Sequence, residues 1–142
     1  THDDGRFHFV HGSTRDPVRE YVLSTDGFLN PSKLRAIFDS FEGVALAGHT
    51  HHPGMHSEDL RFTGLDGRDE LTLPLPEGEK CFLNVGSTGQ PRDGDPRASC
   101  VIVDGHEVRF LRTDYDIATV QRKIYDNPNI PDLCAARLEI GK

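Results

Sequence analysis

The residues best suited to chemistry are two histidines, His49 and His51, in the sequence Gly48-His49-Thr50-His51. They follow the apolar run 44–47, which predicts a short buried β-strand. In extended backbone, residues two positions apart point to the same side, so both imidazoles would face one direction. Ligand sites in open α/β sheets lie at the carboxyl ends of strands. The pair therefore predicts a metal site at the end of this strand.

Two further predicted strands also end in glycine turns. The alternating segment 6–10 leads into His11-Gly12-Ser13, and the segment 81–85 leads into the Gly-Ser-Thr-Gly turn at 86–89. Because three strands end in this way and two of the turns carry histidine, we expect the turns to share one edge of the sheet. His11 is then a third candidate ligand.

Together these motifs resemble the calcineurin-like metallophosphoesterases, most closely the small prokaryotic phosphodiesterases and phosphatases of that superfamily. The likeness rests on His11-Gly12-Ser13, on Gly48-His49-Thr50-His51, and on Asn84-Val85-Gly86-Ser87 followed by Gln90-Pro91-Arg92. It extends from residue 6 to about residue 126. It implies a metal-dependent phosphoester hydrolase with a dinuclear site, in which a hydroxide bridging two divalent ions attacks phosphorus. Manganese, iron and zinc all suit such ligands.

The resemblance gives individual histidines a role. It implies that His11 and His49 ligate one metal ion and that His51 ligates the other, while no catalytic acid or base is assigned within this chain. The alternative for each is a polar side chain that is hydrogen-bonded at a strand end. His52 adjoins the pair but is expected to face the other way, into solvent. Surface or strand positions without function are expected for the remaining histidines considered, His8, His56 and His106.

Residues after the third strand are expected to support the site. Asn84 and Ser87 are predicted to orient ligands through hydrogen bonds. Arg92 has two open interpretations. Its guanidinium could bind a substrate phosphate, or it could fix the loop through an ion pair with Asp93 or Asp95.

The first motifs of the family are not found in place. Members open with Asp-x-His, followed by Gly-Asp-x-x-Asp and Gly-Asn-His-Asp/Glu, all before the histidine that matches His11. Asp104-Gly105-His106 fits Asp-x-His by letter only, because Asp-Gly at that point predicts a hairpin turn. We therefore expect residues 1–142 to be the C-terminal portion of a single metallophosphoesterase domain. The upstream half would supply the bridging carboxylate and the remaining ligands.

The predicted fold class is α/β, a mixed β-sheet sandwich with flanking helices that resembles the C-terminal part of that family's fold. Helices are expected at 18–23 and 32–41, and two more after residue 116. The segment 53–69 is expected to be a loop or loose hairpin, while Pro74 and Pro76 place the run 71–75 at a sheet edge. Further strands are expected at 44–47, 80–85, 98–103 and 106–112.

The charge, hydrophobicity and cysteine content of the chain argue against some classes of function. The formal net charge is −7, from 16 basic and 23 acidic residues, and no basic run occurs, which argues against a surface that binds nucleic-acid phosphates. No apolar stretch approaches the roughly 20 residues of a membrane helix. Cys81, Cys100 and Cys134 lie far apart and are expected to be buried free thiols in a reducing compartment, the cytoplasm. The expected partner is a small phosphorylated substrate, and the oligomeric state is open.

Three functions stay open at this point. The first is a phosphoesterase that is complete only with its upstream half. The second is a metal-binding fold that has lost catalysis and acts as a sensor or binding module. The third is a structural zinc protein that uses His49, His51 and one more ligand, and it would unfold when a chelator removes the zinc.

Overall fold

The computed structural model describes residues 1–75 and 77–142, in which two β-sheets pack face to face and the helix at residues 31–38 covers the outer side of the larger one. The helices are α1 (Asp26–Leu29), α2 (Pro31–Phe38), α3 (Ile117–Tyr125) and α4 (Asp132–Ala136), followed by a 3₁₀ helix at Arg137–Ile140. In spatial order, the larger sheet contains β1 (His2–Asp3), β2 (Phe7–Phe9), β3 (Val44–Ala47), β7 (Cys81–Asn84), β4 (Gly54–Ser57) and β5 (Phe62–Gly64). The smaller sheet contains β6 (Glu70–Pro74), β9 (Glu107–Thr113) and β8 (Ala98–Val103). The predicted mixed α/β sandwich is confirmed.

The centre of the larger sheet is parallel, which fixes where its strands end. β2 pairs with β3, and β3 pairs with β7, with Phe7 opposite Val44 and Val44 opposite Cys81. Carboxyl ends of parallel strands lie at the same edge, so the turns that follow the three strands meet there. The prediction that the three glycine turns share one edge is confirmed.

Strand β3 is buried on both faces, which explains its wholly apolar sequence. Ala45 and Ala47 belong to the core cluster that includes Leu34 and Ile37 of α2. The alternate residues Val44 and Leu46 belong to the second cluster, which contains residues of both sheets. The parallel strands therefore form the middle layer of the molecule, and their ends are held rigidly.

The helix predicted at 18–23 is not formed. The carboxylate of Asp16 caps the amides of residues 18–19 at 3.2 and 3.1 Å, as expected at a helix start. However, the carbonyl of Pro17 accepts hydrogen bonds from the amides of residues 11–12, at 3.1 and 2.8 Å. In a helix it would accept from the chain one turn further on. The segment is therefore a turn that is tied to the end of β2.

Most other predicted elements are found with shorter bounds. The helix expected at 32–41 is α2, and the loose hairpin expected at 53–69 contains β4 and β5. The proline-containing run 71–75 forms β6, at an edge of the smaller sheet. Pro76 lies outside the described residues. In the part of the chain that the structure describes, no helix has both the length and the apolar composition needed to cross a membrane.

The three cysteines are free thiols, but they are not all buried. Cys81 is buried in β7, and burial raises the pKa of its thiol to about 11. Cys134 is half-buried. Cys100 is exposed, so the prediction of burial is wrong for it, because its position in β8 alternates with the buried Ser99 and points away from the core.

His56 is the most deeply buried histidine of the fold. It lies in β4 at 2% exposure, with its Nε2 atom 3.0 Å from the carbonyl oxygen of Leu23 and its ring centroid 4.9 Å from that of Phe62. Its Nδ1 atom has no hydrogen-bond partner among the described residues. Burial lowers the pKa of His56, because the charged imidazolium would lose its hydration.

We expect this burial to make the fold acid-sensitive. As the pH falls below about 6.5, the unfolded chain binds a proton at residue 56 that the folded chain resists. The free energy of unfolding should therefore fall between pH 7.5 and pH 5.5 in urea titrations followed by circular dichroism. His56→Gln should show a smaller fall, whereas the control His106→Gln, at an exposed hairpin position, should match the wild type. Equal pH dependence in all three proteins would contradict this expectation.

Candidate metal centre

The turns after β2 and β3 bring two of the predicted ligands together. The ring centroids of His11 and His49 are 4.4 Å apart. The amide of Gly48 donates a hydrogen bond to the carbonyl of His11 at 3.1 Å, so the two turns are joined where the parallel ladder ends. Two imidazoles that come from different strands therefore form one cluster.

The third predicted ligand, His51, lies at the same edge. Its Nδ1 atom donates a hydrogen bond to the carbonyl oxygen of Gln90 at 2.6 Å. This bond leaves Nε2 as the atom available to a metal. Burial lowers the pKa of His51, and the positive charges of Arg92, His11 and His49 lower it further, against the opposing effect of the Gln90 carbonyl. The lowered pKa favours the neutral ring, which is the form that binds a metal.

The backbone that carries the pair differs from our expectation. His49 and His51 have φ angles of 57° and 59°, in the left-handed region, so the prediction of extended backbone is wrong. The amide of Thr50 donates to the carbonyl of Gly48 at 2.7 Å, which closes a tight turn between them. Non-glycine residues in this region cost roughly 1–3 kcal/mol each and tend to occur at functional sites.

Asn84 holds this turn in place. It is buried at the end of β7, at 4% exposure. Its side-chain amide donates to the carbonyl of Gly48 and, at 2.7 Å, to the Oγ1 atom of Thr50. Its Oδ1 atom accepts a hydrogen bond from the amide of Gly86 at 3.0 Å. The expected orienting role of Asn84 thus has a physical basis, because one buried side chain connects the histidine turn to the glycine turn.

Ser87 acts on the neighbouring loop. Its Oγ atom accepts hydrogen bonds from the amides of Gly89 and Gln90, at 3.2 and 2.9 Å. Its own amide donates to the Oγ atom of Ser99 at 2.9 Å. Because Gln90 provides the carbonyl that orients His51, the expected role of Ser87 would be exerted through Gln90.

Arg92 is exposed, and it does not form the ion pair that one interpretation required. Its guanidinium donates to the side-chain oxygen of Gln90 at 3.0 Å. Asp93 is paired with Arg112, and Asp95 is paired with Arg97 at 2.7 Å. The loop is therefore fixed by two other arginines. The phosphate-binding interpretation of Arg92 stays a prediction.

Two residues near this edge were missed in the sequence. The side chain of Arg112 is fully buried, and it lies on the same inward face of β9 as Val108 and Phe110. The signal available in the sequence was a charged residue at a position where the alternation of β9 predicts an inward-facing side chain. Tyr21, in the segment predicted as a helix, places its ring centroid 3.9 Å from that of His49. No local pattern indicated that contact.

His52 differs from its prediction in burial. It is half-buried and not open to solvent, and its ring meets that of Phe62 edge to face at 5.8 Å between centroids. Its neighbours are thus in the β4–β5 hairpin. His8 bonds to the carbonyl oxygen of Glu42 at 2.7 Å, and His106 is exposed. These two histidines occupy strand and surface positions as expected.

The residues present fit part of a divalent-metal site. In residues 1–75 and 77–142, no group of three or more histidine, cysteine, aspartate or glutamate side chains has a complete metal-holding arrangement. The Nε2 atom of His49, however, is buried and has no hydrogen-bond partner among these residues. A buried, unpaired imidazole nitrogen is costly unless a ligand satisfies it. Imidazole nitrogens suit zinc, manganese and iron, so His11, His49 and His51 could contribute ligands to such an ion but do not form a complete site by themselves.

A groove of about 840 Å³ reaches this edge of the sheet. It lies between the two sheets and is lined mainly by apolar side chains of β2, β3 and β8. At one end it contacts His11, Gly48 and Ser87. Of the three candidate ligands, His11 therefore lines the open apolar groove between the sheets.

Comparisons with known proteins agree with this description of the fold. No family model matches the chain. The chain is 32% identical, over 137 residues, to the uncharacterized protein MJ0912 of Methanocaldococcus jannaschii, covering 94% of this chain and 51% of that protein. The structure of hypothetical protein PH1004 from Pyrococcus horikoshii is similar at a TM-score of 0.62 and 20% identity, over 96% of this chain and 46% of that one, which supports the fold alone.

A metallophosphoesterase of known structure gives a stronger likeness. The crystal structure of metallophosphoesterase from Sphaerobacter thermophilus matches at a TM-score of 0.85 and 32% identity, over 99% of this chain and 58% of that one. The chain thus spans about half the length of the proteins it resembles. This likeness covers the parallel strands, the Gly-His-x-His turn and the glycine turn after β7. This comparison supports the resemblance to the calcineurin-like metallophosphoesterase superfamily that the sequence motifs indicated.

Proposed function

We propose that this chain is about half of a metal-dependent phosphoester hydrolase and that it provides the histidine ligands of a two-metal site. The observation that carries the proposal is the convergence of His11, His49 and His51 at the carboxyl edge of a parallel sheet, in a fold shared with a metallophosphoesterase. The buried, unpartnered Nε2 atom of His49 supports a cation at this position.

The residues of this chain would have separate roles in this reaction. Bound divalent ions would activate water and neutralise the phosphoryl oxygens. His51 is held for ligation by Gln90, and Asn84 holds the turn that carries it. Arg92, exposed beside the cluster, would bind phosphate oxygens of a small phosphorylated substrate with its planar guanidinium. Three free cysteines are in keeping with a cytoplasmic location, which we include in the proposal.

The apolar groove supports the proposal that a further polypeptide segment completes the domain. β8 is an edge strand of the smaller sheet, and on the side away from β3 the strand β2 pairs with the two-residue β1. Contiguous exposed apolar surface can mark a site of contact with another polypeptide. The related proteins are about twice as long as this chain. We propose that the remaining half packs along this groove and brings carboxylate ligands to its His11 end.

Metal loading and hydrolysis test this proposal. We expect a longer protein that contains residues 1–142 to bind about two manganese ions and to hydrolyse bis(p-nitrophenyl) phosphate. Residues 1–142 alone should bind at most one ion and show no turnover. Elemental analysis and absorbance at the nitrophenolate band give the two readouts.

Two outcomes would contradict it in different ways. One tightly held zinc, whose removal by a chelator unfolds the protein, with no turnover in the longer form, would indicate a structural zinc module. Two ions and full activity in residues 1–142 alone would support the hydrolase but overturn the half-domain assignment.

A further inference from the structure

Tyr21 covers the ring of His49, although the sequence gives it no recognised motif. The ring centroids are 3.9 Å apart and the planes are inclined by 34°, which is a close, tilted contact between the rings. Tyr21 is 50% exposed, so burial in the core does not explain its position. The tyrosine is placed at the rim of the candidate site, on the ligand histidine itself.

The backbone at Tyr21 is anchored from beneath by a buried ion pair. Its carbonyl oxygen accepts a hydrogen bond from the ammonium of Lys33 at 2.6 Å. The same ammonium is 2.6 Å from the carboxylate of Asp26, which is fully buried. A mobile surface side chain does not require such an anchor, so the position of Tyr21 is fixed by the fold.

The preceding residue ties this segment to the other ligand turn. The carboxylate of Glu20 accepts a hydrogen bond from the hydroxyl of the buried Ser13, directly after His11 and Gly12. A Cβ atom at Gly12 would lie 2.9 Å from the carbonyl oxygen of Glu20, so the two backbones are in close contact. The turn that carries His11 and the residue that covers His49 therefore belong to one packed unit.

His49 lacks the support that its neighbour has. The imidazole of His51 is oriented by the carbonyl of Gln90. In the described part of the chain, no hydrogen bond orients the ring of His49 in this way, and its Nε2 atom is left for a metal. Ligand histidines normally depend on a neighbouring group to fix the ring orientation. Besides the other candidate ligand His11, the ring in contact with His49 is that of Tyr21, whose backbone is anchored by Lys33.

We propose that Tyr21 is a positioning residue. Its ring packs against His49 and holds that imidazole in the orientation that binds a divalent metal. The inference rests on the proposed metal site. It assigns the function to the aromatic face and not to the hydroxyl group. Phenylalanine at this position should therefore preserve metal binding, whereas alanine should weaken it.

The test uses three variants of the 142-residue chain and zinc as the probe. Tyr21→Ala removes the ring, Tyr21→Phe keeps it, and Tyr125→Ala removes a tyrosine of matched exposure, 49%, at the end of α3. Zinc affinity is measured by titration followed at the His49 imidazole resonances. Ring-current shifts of the same resonances are recorded without metal, and thermal melts check folding.

We expect Tyr21→Ala to weaken zinc binding about 10- to 100-fold, the range found for residues that support metal ligands. The ring-current shift at His49 should be lost with it. Tyr21→Phe and Tyr125→Ala should retain both wild-type values. Wild-type affinity in a folded Tyr21→Ala protein would overturn the inference alone, as would loss of affinity in Tyr21→Phe. Absence of a zinc-dependent change at His49 in the wild-type chain would also overturn the inference, whereas the proposed function fails only if the longer protein neither binds two ions nor hydrolyses the phosphodiester.

Discussion

Replacing His49 with alanine is expected to reduce manganese-dependent phosphodiester hydrolysis at least about a thousandfold in the protein form that carries the activity. A bound metal contributes several kcal/mol to stabilising charge in the transition state, and each 1.4 kcal/mol corresponds to a factor of ten in rate. His49 is the candidate ligand whose Nε2 atom is buried and unpartnered among the described residues. Loss of the His49 side chain should therefore abolish metal binding and not merely displace the ion.

The backbone at His49 makes the substitution easy to interpret. Its φ of 57° is unfavourable for histidine and alanine alike, so alanine adds no new backbone strain. His52→Ala is the matched control, because that ring contacts Phe62 in the hairpin. Rates and metal content are measured for both variants. Retention of more than a tenth of the wild-type rate in a metal-loaded His49→Ala protein would show that His49 is not a ligand.

The sequence could predict the parallel layer because its signal is local. Strands such as β3 and β7 are buried on both faces, and they therefore appear as continuous apolar runs that end in glycine. The location of the candidate ligands follows directly, since parallel strands place their carboxyl ends together. The edges of the fold were also predictable, because the prolines near β6 exclude it from a sheet interior.

The conformation of the histidine turn could not be predicted in this way, because distant residues impose it. Asn84, more than thirty residues away in sequence, donates to Gly48 and Thr50 and thereby stabilises left-handed backbone at His49 and His51. Spacing alone suggested extended backbone. The two imidazoles still reach one edge, but through a strained turn that the end of β7 supports.

The helix at 18–23 was predicted wrongly for a similar reason. Asp16 and Pro17 carry a correct local signal for a helix start, and the capping bonds do form. The carbonyl of Pro17 is nevertheless used by the amides that follow β2, so the helix does not continue. The turn that these hydrogen bonds form places Tyr21 over His49. A helix over the same residues would give the chain a different path, so the wrong prediction concerns a segment that contributes to the candidate site.

The same segment depends on an ion pair whose removal should have the largest effect on stability. The side chain of Asp26 accepts hydrogen bonds from Lys33 at 2.6 Å, from the amide of Leu23 at 2.8 Å and from Asn30 at 2.8 Å. Burial works against ionisation of this carboxyl, but these three donors together lower its pKa. We expect Asp26→Ala to reduce the free energy of unfolding by about 3–5 kcal/mol, because the ammonium of Lys33 loses its buried partner.

Urea unfolding of Asp26→Ala, with Asp59→Ala as the control, measures this effect. Asp59 pairs with Arg61 at 2.6 Å, but both side chains are largely exposed, so its loss should cost less than about 1 kcal/mol. A double variant, Asp26→Ala with Lys33→Met, should recover part of the loss, since it removes the unpaired charge. Equal losses in Asp26→Ala and Asp59→Ala would contradict the buried pair. Because Lys33 also holds the carbonyl of Tyr21, Asp26→Ala should further reduce the ring-current shift at His49, linking the stability of this segment to the geometry of the candidate metal ligand.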